Sequence, residues 1–274
     1  MQFIEAGIVP NRVSDPAAAF AELRARGSVI LTDAGSSRDD ARAIAANVLA
    51  TLNPVIPDPA PIKEGGGNAD RSYDNMPGAE PVFRVPFQTG HTDGFSYGDR
   101  LPDFIFLLCL RPAASGGESL SIDTYRILDA LAASSDSDDV ALHTFLTTET
   151  IEQTEPDMRA SLSPVVVMTP SGRRQVRWTP VQRPNPALGD ADRARQQTLL
   201  DRWKMLAHQA SLHAPKFTLQ AGEAICIDNY RMLHGRTGFD DLERALWRIW
   251  AWSPEAVGVP EGMLFSDSRF AVAR

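Results

Sequence analysis

Cysteine, lysine and histidine, three of the side chains that most often carry chemistry, are scarce in this 274-residue chain. The two cysteines, Cys109 and Cys226, sit inside the apolar runs "LLCL" and "AICI" with no spacing motif between them. That excludes a disulfide scaffold and a cysteine metal cluster, and reads as core thiols in a reducing, cytoplasmic compartment. Lysine occurs only at 63, 204 and 216, so Schiff-base chemistry is a poor reading and arginine is the default cation. A lone arginine therefore carries little weight. The longest apolar run, "FIFLLCL" (104–110), falls well short of the roughly 18 or more residues of a membrane span. The opening "MQFIEAGIVPNRVSDP" lacks the basic-then-apolar pattern of a secretory leader. Positive charge is also deficient: 27 basic against 35 acidic residues leave a net charge of −8. No basic surface for nucleic acid or anionic lipid is expected, and the partner in view is a small molecule.

What is present is 43% hydrophobic sequence, enough for a substantial core. "PAAAFAELRAR" (16–26) has helical spacing, a first-turn proline and a stop at Gly27. A strand, "SVILTDAG", follows, then a helix from about 38 capped by Ser36 or Ser37. Residues 53–81, rich in proline and glycine, read as a long loop, with 56–81 a candidate lid. Short strands are expected at about 82–93, 104–110, 118–122, 164–169, 174–178, 217–219, 224–229 and 244–252. Helices are expected at 123–133, capped by Asp123, and at 190–213, with "SSDSDD" (134–139) a polar turn. No repeat or linker divides the chain. The expectation is one domain over 1–274: a mainly β jelly-roll core (82–252) with flanking helices, an N-terminal segment (1–55) packed on it and a helical insertion at 190–213.

The chemistry-bearing window is "TGHTDG" (89–94). On a strand, residues two apart share a face, so His91 and Asp93 can converge while Thr92 turns away. Alone, so short and common a pattern is better read as a polar loop with an incidental hydrogen bond. A metal would need a third ligand from His143, His208, His213 or His234. The first three lie in helical or apolar surroundings; His234 follows the buried run "AICID" in a tight polar turn, "LHGR". Two histidines and a carboxylate with open coordination positions are the facial triad of non-haem Fe(II) oxygenases, and a zinc hydrolase could use the same set. Further on, "ERALWRIWAW" (243–252) alternates, placing Arg244, Leu246, Arg248, Trp250 and Trp252 on one face. A face this rich in tryptophan is ill suited to water, so both arginines are expected inside, where they need anions.

"TGHTDG", then "PAASGGESLSID" (112–123), then "LQAGEAICIDNYRMLHGRTGF" (219–239), then an arginine-bearing strand, resemble the Fe(II)/2-oxoglutarate-dependent dioxygenases of the taurine dioxygenase and clavaminate synthase-like superfamily. The spacing is similar to that of the γ-butyrobetaine hydroxylases. The resemblance spans about residues 15–252 and implies a double-stranded β-helix binding Fe(II), 2-oxoglutarate and O₂. It implies His91, Asp93 and His234 as iron ligands, and Ser119 and Arg244 as contacts of the distal 2-oxoglutarate carboxylate. It implies Arg248 as the contact of an anionic or zwitterionic substrate, such as an amino acid. Asn229 and Arg236, in the "DN…HGR" stretch, would brace the turn carrying His234. Because Asp93 keeps a carboxylate where halogenases of this chemistry leave room for chloride, hydroxylation with release of succinate and CO₂ is expected. Desaturation and cyclisation need no different ligands and stay open, as does a non-catalytic sensor.

Overall fold

The computed structural model describes residues 5–63, 87–153, 161–241 and 243–266. Two short strands, β1 (Gly7–Ile8) and β2 (Asn11–Val13), precede α1 (Pro16–Arg26). Asp15 caps α1, and Gly27 ends it at φ 83°, a left-handed conformation that glycine adopts without Cβ strain. After β3 (Ser28–Leu31), Ser37 and Asp40 form a reciprocal capping box that starts α2 (Arg38–Val48). Then come β4 (Ala60–Lys63), β5 (Gln88–His91), a 3₁₀ segment (Phe95–Arg100), β6 (Phe104–Arg111) and β7 (Ser119–Asp123). Two helices, α3 (Thr124–Ala132) and α4 (Ser137–Thr148), lead to β8 (Ile151–Glu152), β9 (Leu162–Ser163), β10 (Val166–Met168) and β11 (Arg174–Val176). The chain closes with α5 (Asp190–His213), β12 (Ala224–Asp228), β13 (Met232–Arg236) and β14 (Ala245–Ala251).

Most strands form two facing sheets, one of six strands in the order β2-β3-β12-β6-β14-β4 and one of four in the order β1-β7-β13-β5. Pairing is antiparallel except between β2 and β3. The period-two alternation of the long strands explains the layers. On the large sheet, Val29, Phe106, Leu108, Cys226 and Ile249 point outward onto α1 and α2, meeting Leu23, Ile44 and Ala45. Ile30, Ile105, Cys109, Ile225, Leu246 and Trp250 point inward to the space between the sheets. On the small sheet, Leu120, Ile122 and Leu233 face out onto α3, α4 and α5, whose Leu128, Phe145 and Trp203 complete that core. The inner face of the small sheet is where polar groups gather. Both cysteines are buried free thiols, and burial pushes Cys109 up to about 11.

The jelly-roll reading holds, with several local corrections. The "SSDSDD" turn is in fact the start of α4: Asp136 accepts from the backbone N–H of Asp138 and Asp139, and acidic side chains favour a helix N-terminus. The 53–81 loop contains a strand, β4, since Ala60–Lys63 finds a partner in the edge of β14. The rest of the candidate lid, and the part of the 82–93 strand before Phe87, lie outside the described residues. The turn expected around His234 is a strand, β13, hydrogen-bonded on both sides by β7 and β5. Its Gly235 leaves room for the neighbouring backbone, because a Cβ there would meet Gln88 O at 2.4 Å.

One buried ion network ties β6 and β12 to the β10–β11 turn. Arg173 sits 2.8 Å from both Asp103 and Asp228, with Phe104 and Tyr230 each 5.0 Å from its guanidinium. Ser253 N–H and Oγ–H also donate to Asp103. Arg173→Met should leave two buried carboxylates without their cation and cost about 3–5 kcal/mol. Urea denaturation should show this as a lower midpoint at unchanged slope. A midpoint like that of the wild type would mean the two carboxylates are held by other groups.

Candidate metal centre

β13 lies between β7 and β5, and its register sets His234 directly opposite His91. Strand alternation turns Leu233 into the helical core and His234 inward. The rings of His91 and His234 lie 4.4 Å apart. Asp93, just past the end of β5, completes the group: its Oδ1 is 3.6 Å from His91 Nε2 and 3.6 Å from His234 Nε2. One donor atom from each of the three residues lies within 4.8 Å of the others. His143, His208 and His213 are not part of this cluster.

Asp93 is not on the strand, so spacing alone does not aim it. Asn229 does so: its Oδ1 accepts from Asp93 N–H at 3.0 Å, and its Nδ2 donates to Asp93 O at 3.0 Å and Pro102 O at 2.8 Å. Asn229 therefore braces the aspartate ligand rather than the turn of His234. Beside it, Thr92 faces away, tied by its N–H and Oγ to Trp178 O and by Oγ to Trp178 N–H. The second carboxylate oxygen, Oδ2, accepts from Trp250 Nε1 at 3.0 Å and lies 3.7 Å from Arg248 Nη1. Trp250 is itself held by Ser266 Oγ on its N–H and by edge contacts with Tyr97 and Trp252. With Oδ2 taken, Oδ1 is the atom left for a metal.

Protonation favours the same assignment. Burial would raise Asp93, but Arg248, His91 and His234 outweigh it and hold the carboxyl well below its usual range. Burial, helped by His91 and Arg248 against Asp93, pushes His234 down to about 3, so its imidazole is neutral. His91 Nδ1 lies 3.1 Å from Thr89 O; as a donor there it leaves the Nε2 lone pair toward Asp93. His234 Nδ1 is buried without a hydrogen-bond partner. Two imidazoles and one carboxylate oxygen converging on one point are a donor set that would suit a divalent first-row metal, which fits Fe(II).

Ser119 begins β7 across from Arg236 on β13, and Arg244 immediately precedes β14. Arg244 and Arg236 both pack on the ring of Phe239, at 5.2 and 4.9 Å. A Cβ on Gly117, two residues before Ser119, would be 3.5 Å from Arg244 Cδ. The turn at 116–117 and the Phe239 ring thus lie beside Arg244, while Ser119, the other residue that the resemblance implies for a distal carboxylate, pairs with Arg236 and Phe217. Arg244 and Arg248 are 8% and 7% exposed, as the alternating tryptophan face required. Arg248 also donates from Nε to Ser266 O at 3.0 Å and stacks on Trp250. The lid residues Asp70 and Asp74, the carboxylates that could instead pair with it, lie outside the described residues. Trp250 was missed as a support of the site, although its place on the Arg244–Arg248 face was a signal. A cavity of about 570 Å³ lies outside this centre, between the edge of β5 and α5, bounded by Thr89, Trp178, Lys204, Met205 and His208. Its volume is attractive, but the donor set is at the triad.

Fold and site together define a double-stranded β-helix protein with a two-histidine, one-carboxylate group that could hold a metal ion. The sequence matches the family described as "Taurine catabolism dioxygenase TauD, TfdA family" over residues 8–250, and the chain belongs to that family. It is an Fe(II)/2-oxoglutarate-dependent dioxygenase. Among solved structures it is similar in fold to asparagine oxygenase, with 18% identity, 87% of this chain and 79% of that one covered, and a TM-score of 0.55. PvcB from Pseudomonas aeruginosa shares 17% identity, with coverages of 86% and 79% and a TM-score of 0.56. AAD-2, solved with Mn(II) and N-oxalylglycine, shares 12%, with coverages of 94% and 95% and a TM-score of 0.56. No curated protein matches the sequence. No helix among the described residues is long and apolar enough to cross a membrane.

Anaerobic Fe(II) titration checks the ligand set. His91→Ala and His234→Ala should lose tight metal binding while remaining folded, and substitution of His143, His208 or His213 should not matter. Trp250→Phe should keep the metal but free Oδ2 to chelate it, which the spectrum of a Co(II)-substituted protein would report as a change in coordination. Wild-type metal affinity in either histidine variant would break the assignment.

Proposed function

We propose that this enzyme hydroxylates an unactivated C–H of a small carboxylate-bearing molecule, such as an amino acid or derivative. The balance is R–H + 2-oxoglutarate + O₂ → R–OH + succinate + CO₂. The observation that carries this reading is the convergence of His91, Asp93 and His234 around one point, with Arg248 beside Asp93 and Arg244 on the ring of Phe239. When bound, Fe(II) with 2-oxoglutarate supplies the oxidation of the C–H bond.

The protein's part is positional. His91 and His234 would present their Nε2 atoms, and Asp93 a single oxygen, because Trp250 Nε1 holds the other. Restricting Asp93 to one oxygen keeps a coordination position available. Arg244, a buried cation on an aromatic ring, would pair with the distal carboxylate of 2-oxoglutarate, and the Ser119 hydroxyl would add a hydrogen bond. Arg248 would hold an acidic group of the substrate close to the ligand sphere. Retention of the Asp93 carboxylate favours oxygen transfer over halide transfer. An asparagine oxygenase among the similar folds supports an amino-acid substrate.

Succinate release with Fe(II) and 2-oxoglutarate, measured across amino acids and small carboxylates, tests the reaction. Stimulation by none of them would argue against this substrate class. Arg244→Ala removes one side of a desolvated charge pair, a loss of about 2–5 kcal/mol, read as a steep rise in KM for 2-oxoglutarate. Ser119→Ala should raise it less, and an unchanged 2-oxoglutarate dependence in Arg244→Ala would remove that residue from the co-substrate site.

Arg248→Met separates substrate from co-substrate. Substrate-dependent turnover should collapse while anaerobic binding of Fe(II) and 2-oxoglutarate stays near wild type. Parallel loss of both would make Arg248 a support of Asp93 alone.

A further inference from the structure

Gln175 on β11 and, just past its end, Arg177 and Thr179 are buried at 0%, 0% and 9% exposure although all are polar. They alternate with Val176 and Trp178, which enter the helical core where Trp178 meets Trp203 edge-on. Arg177 is therefore turned the opposite way, away from that core. Its guanidinium lies 5.7 Å from the ring of Phe95, two residues beyond Asp93. The neighbouring Trp178 is hydrogen-bonded to Thr92, which lies between the two metal ligands of that segment. Arg177 thus stands beside the segment that carries the metal centre.

What distinguishes Arg177 from the other buried arginines is its lack of partners. Arg173 has two carboxylates, and Arg248 has Asp93 and the Ser266 carbonyl. Arg177 makes one long contact, from Nη2 to Ser161 Oγ at 3.4 Å, while Nε and Nη1 have no hydrogen-bond partner. Thr179 Oγ1, two residues on, is also unpartnered. So is the Oε1 of Gln182, whose Nε2 is tied to Arg177 O at 2.8 Å. Burial pushes the Arg177 guanidinium down to about 10, against weaker help from Asp99 and Tyr230, yet it stays protonated near neutrality. A buried cation with two free donors is costly unless an anion meets it.

We propose that Arg177, with Thr179 and Gln182 beside it, is an anion subsite of the substrate pocket that takes a carboxylate or similar small oxyanion of the prime substrate. This rests on the proposed function and narrows it. Arg248 approaches Asp93 from β14, whereas Arg177 approaches Phe95 from the end of β11, so the two arginines address different groups. A substrate with two acidic groups, one for each arginine, is the class that satisfies both. The free acceptor of Gln182 suits an N–H or O–H of the same molecule, and Thr179 Oγ1 can donate to the oxyanion.

The test uses full-length enzyme loaded anaerobically with Fe(II) and saturating 2-oxoglutarate, titrated with acetate, sulfate or methylphosphonate and followed by melting temperature. Wild type should be stabilised saturably by at least one of these anions. Arg177→Met should lose that response, with its apparent anion affinity down roughly 100-fold, and Arg177→Lys should keep part of it. Because the methionine side chain removes an unpaired buried charge, the anion-free melting temperature should be unchanged or higher. A melting temperature several degrees lower would make Arg177 a structural cation and overturn the proposal. So would equal anion responses in wild type and Arg177→Met, or none in wild type. Failure to form the Fe(II)–2-oxoglutarate complex would instead count against the proposed function. The anion titration of the metal-free protein would still decide the subsite.

Discussion

Asp93 is a buried carboxylate that must stay ionised, point one oxygen at two imidazoles and do so from a turn, which spacing alone does not aim. No single contact achieves this. Arg248 supplies the fixed positive charge, Trp250 takes the second oxygen, and the Asn229 side chain clamps the backbone N–H and C=O of Asp93 on either side of its Cα. Two supports come from β14 and one from the turn after β12, whereas Asp93 follows β5 of the other sheet, so the ligand geometry exists only when the two sheets are docked. In the metal-free protein, loss of any one would leave a polar group buried without its partner, a cost that the charge of a bound divalent metal would offset at the Asp93 carboxylate.

The same logic runs through the interior. Outer faces of both sheets are apolar and covered by helices, which frees the space between them to hold polar side chains. These are admitted where they find partners: Ser28 and Ser121 meet across the sheets at 3.0 Å, and Arg173 neutralises Asp103 and Asp228. Ring contacts add to this, with Phe239 packed against the guanidiniums of both Arg236 and Arg244. Against that background the two unmet donors of Arg177 stand out because they belong to a charged group, whereas most of the other unpartnered buried atoms are neutral amide, hydroxyl or ring atoms.

Legibility in the sequence followed the range of the interactions. Helix α1 is bounded where Asp15, Pro16 and Gly27 require, because caps act over a few residues. The long apolar strands β6 and β12 were readable from their runs. Missed elements are those whose stability is borrowed: β4 exists because β14 has an edge to pair with, and β13 because β7 and β5 lie on either side. Helix α4 was obscured by a serine–aspartate string that suits a turn and a helix start equally well.

The residues alone determined which side chains could hold a metal, since "HTD" and an isolated "LHGR" left few histidines to choose from. They also determined that Arg244 and Arg248 face inward, because a strand's period of two ties them to Leu246, Trp250 and Trp252. Tertiary structure decided what each then does. Strand register set His234 against His91, Asn229 proved to hold Asp93 rather than the histidine strand, and Arg248 was brought to the metal carboxylate. Arg177 gave no sign in an arginine-rich sequence. Its isolation is a property of what surrounds it, and burial without a partner is fixed only when distant segments pack.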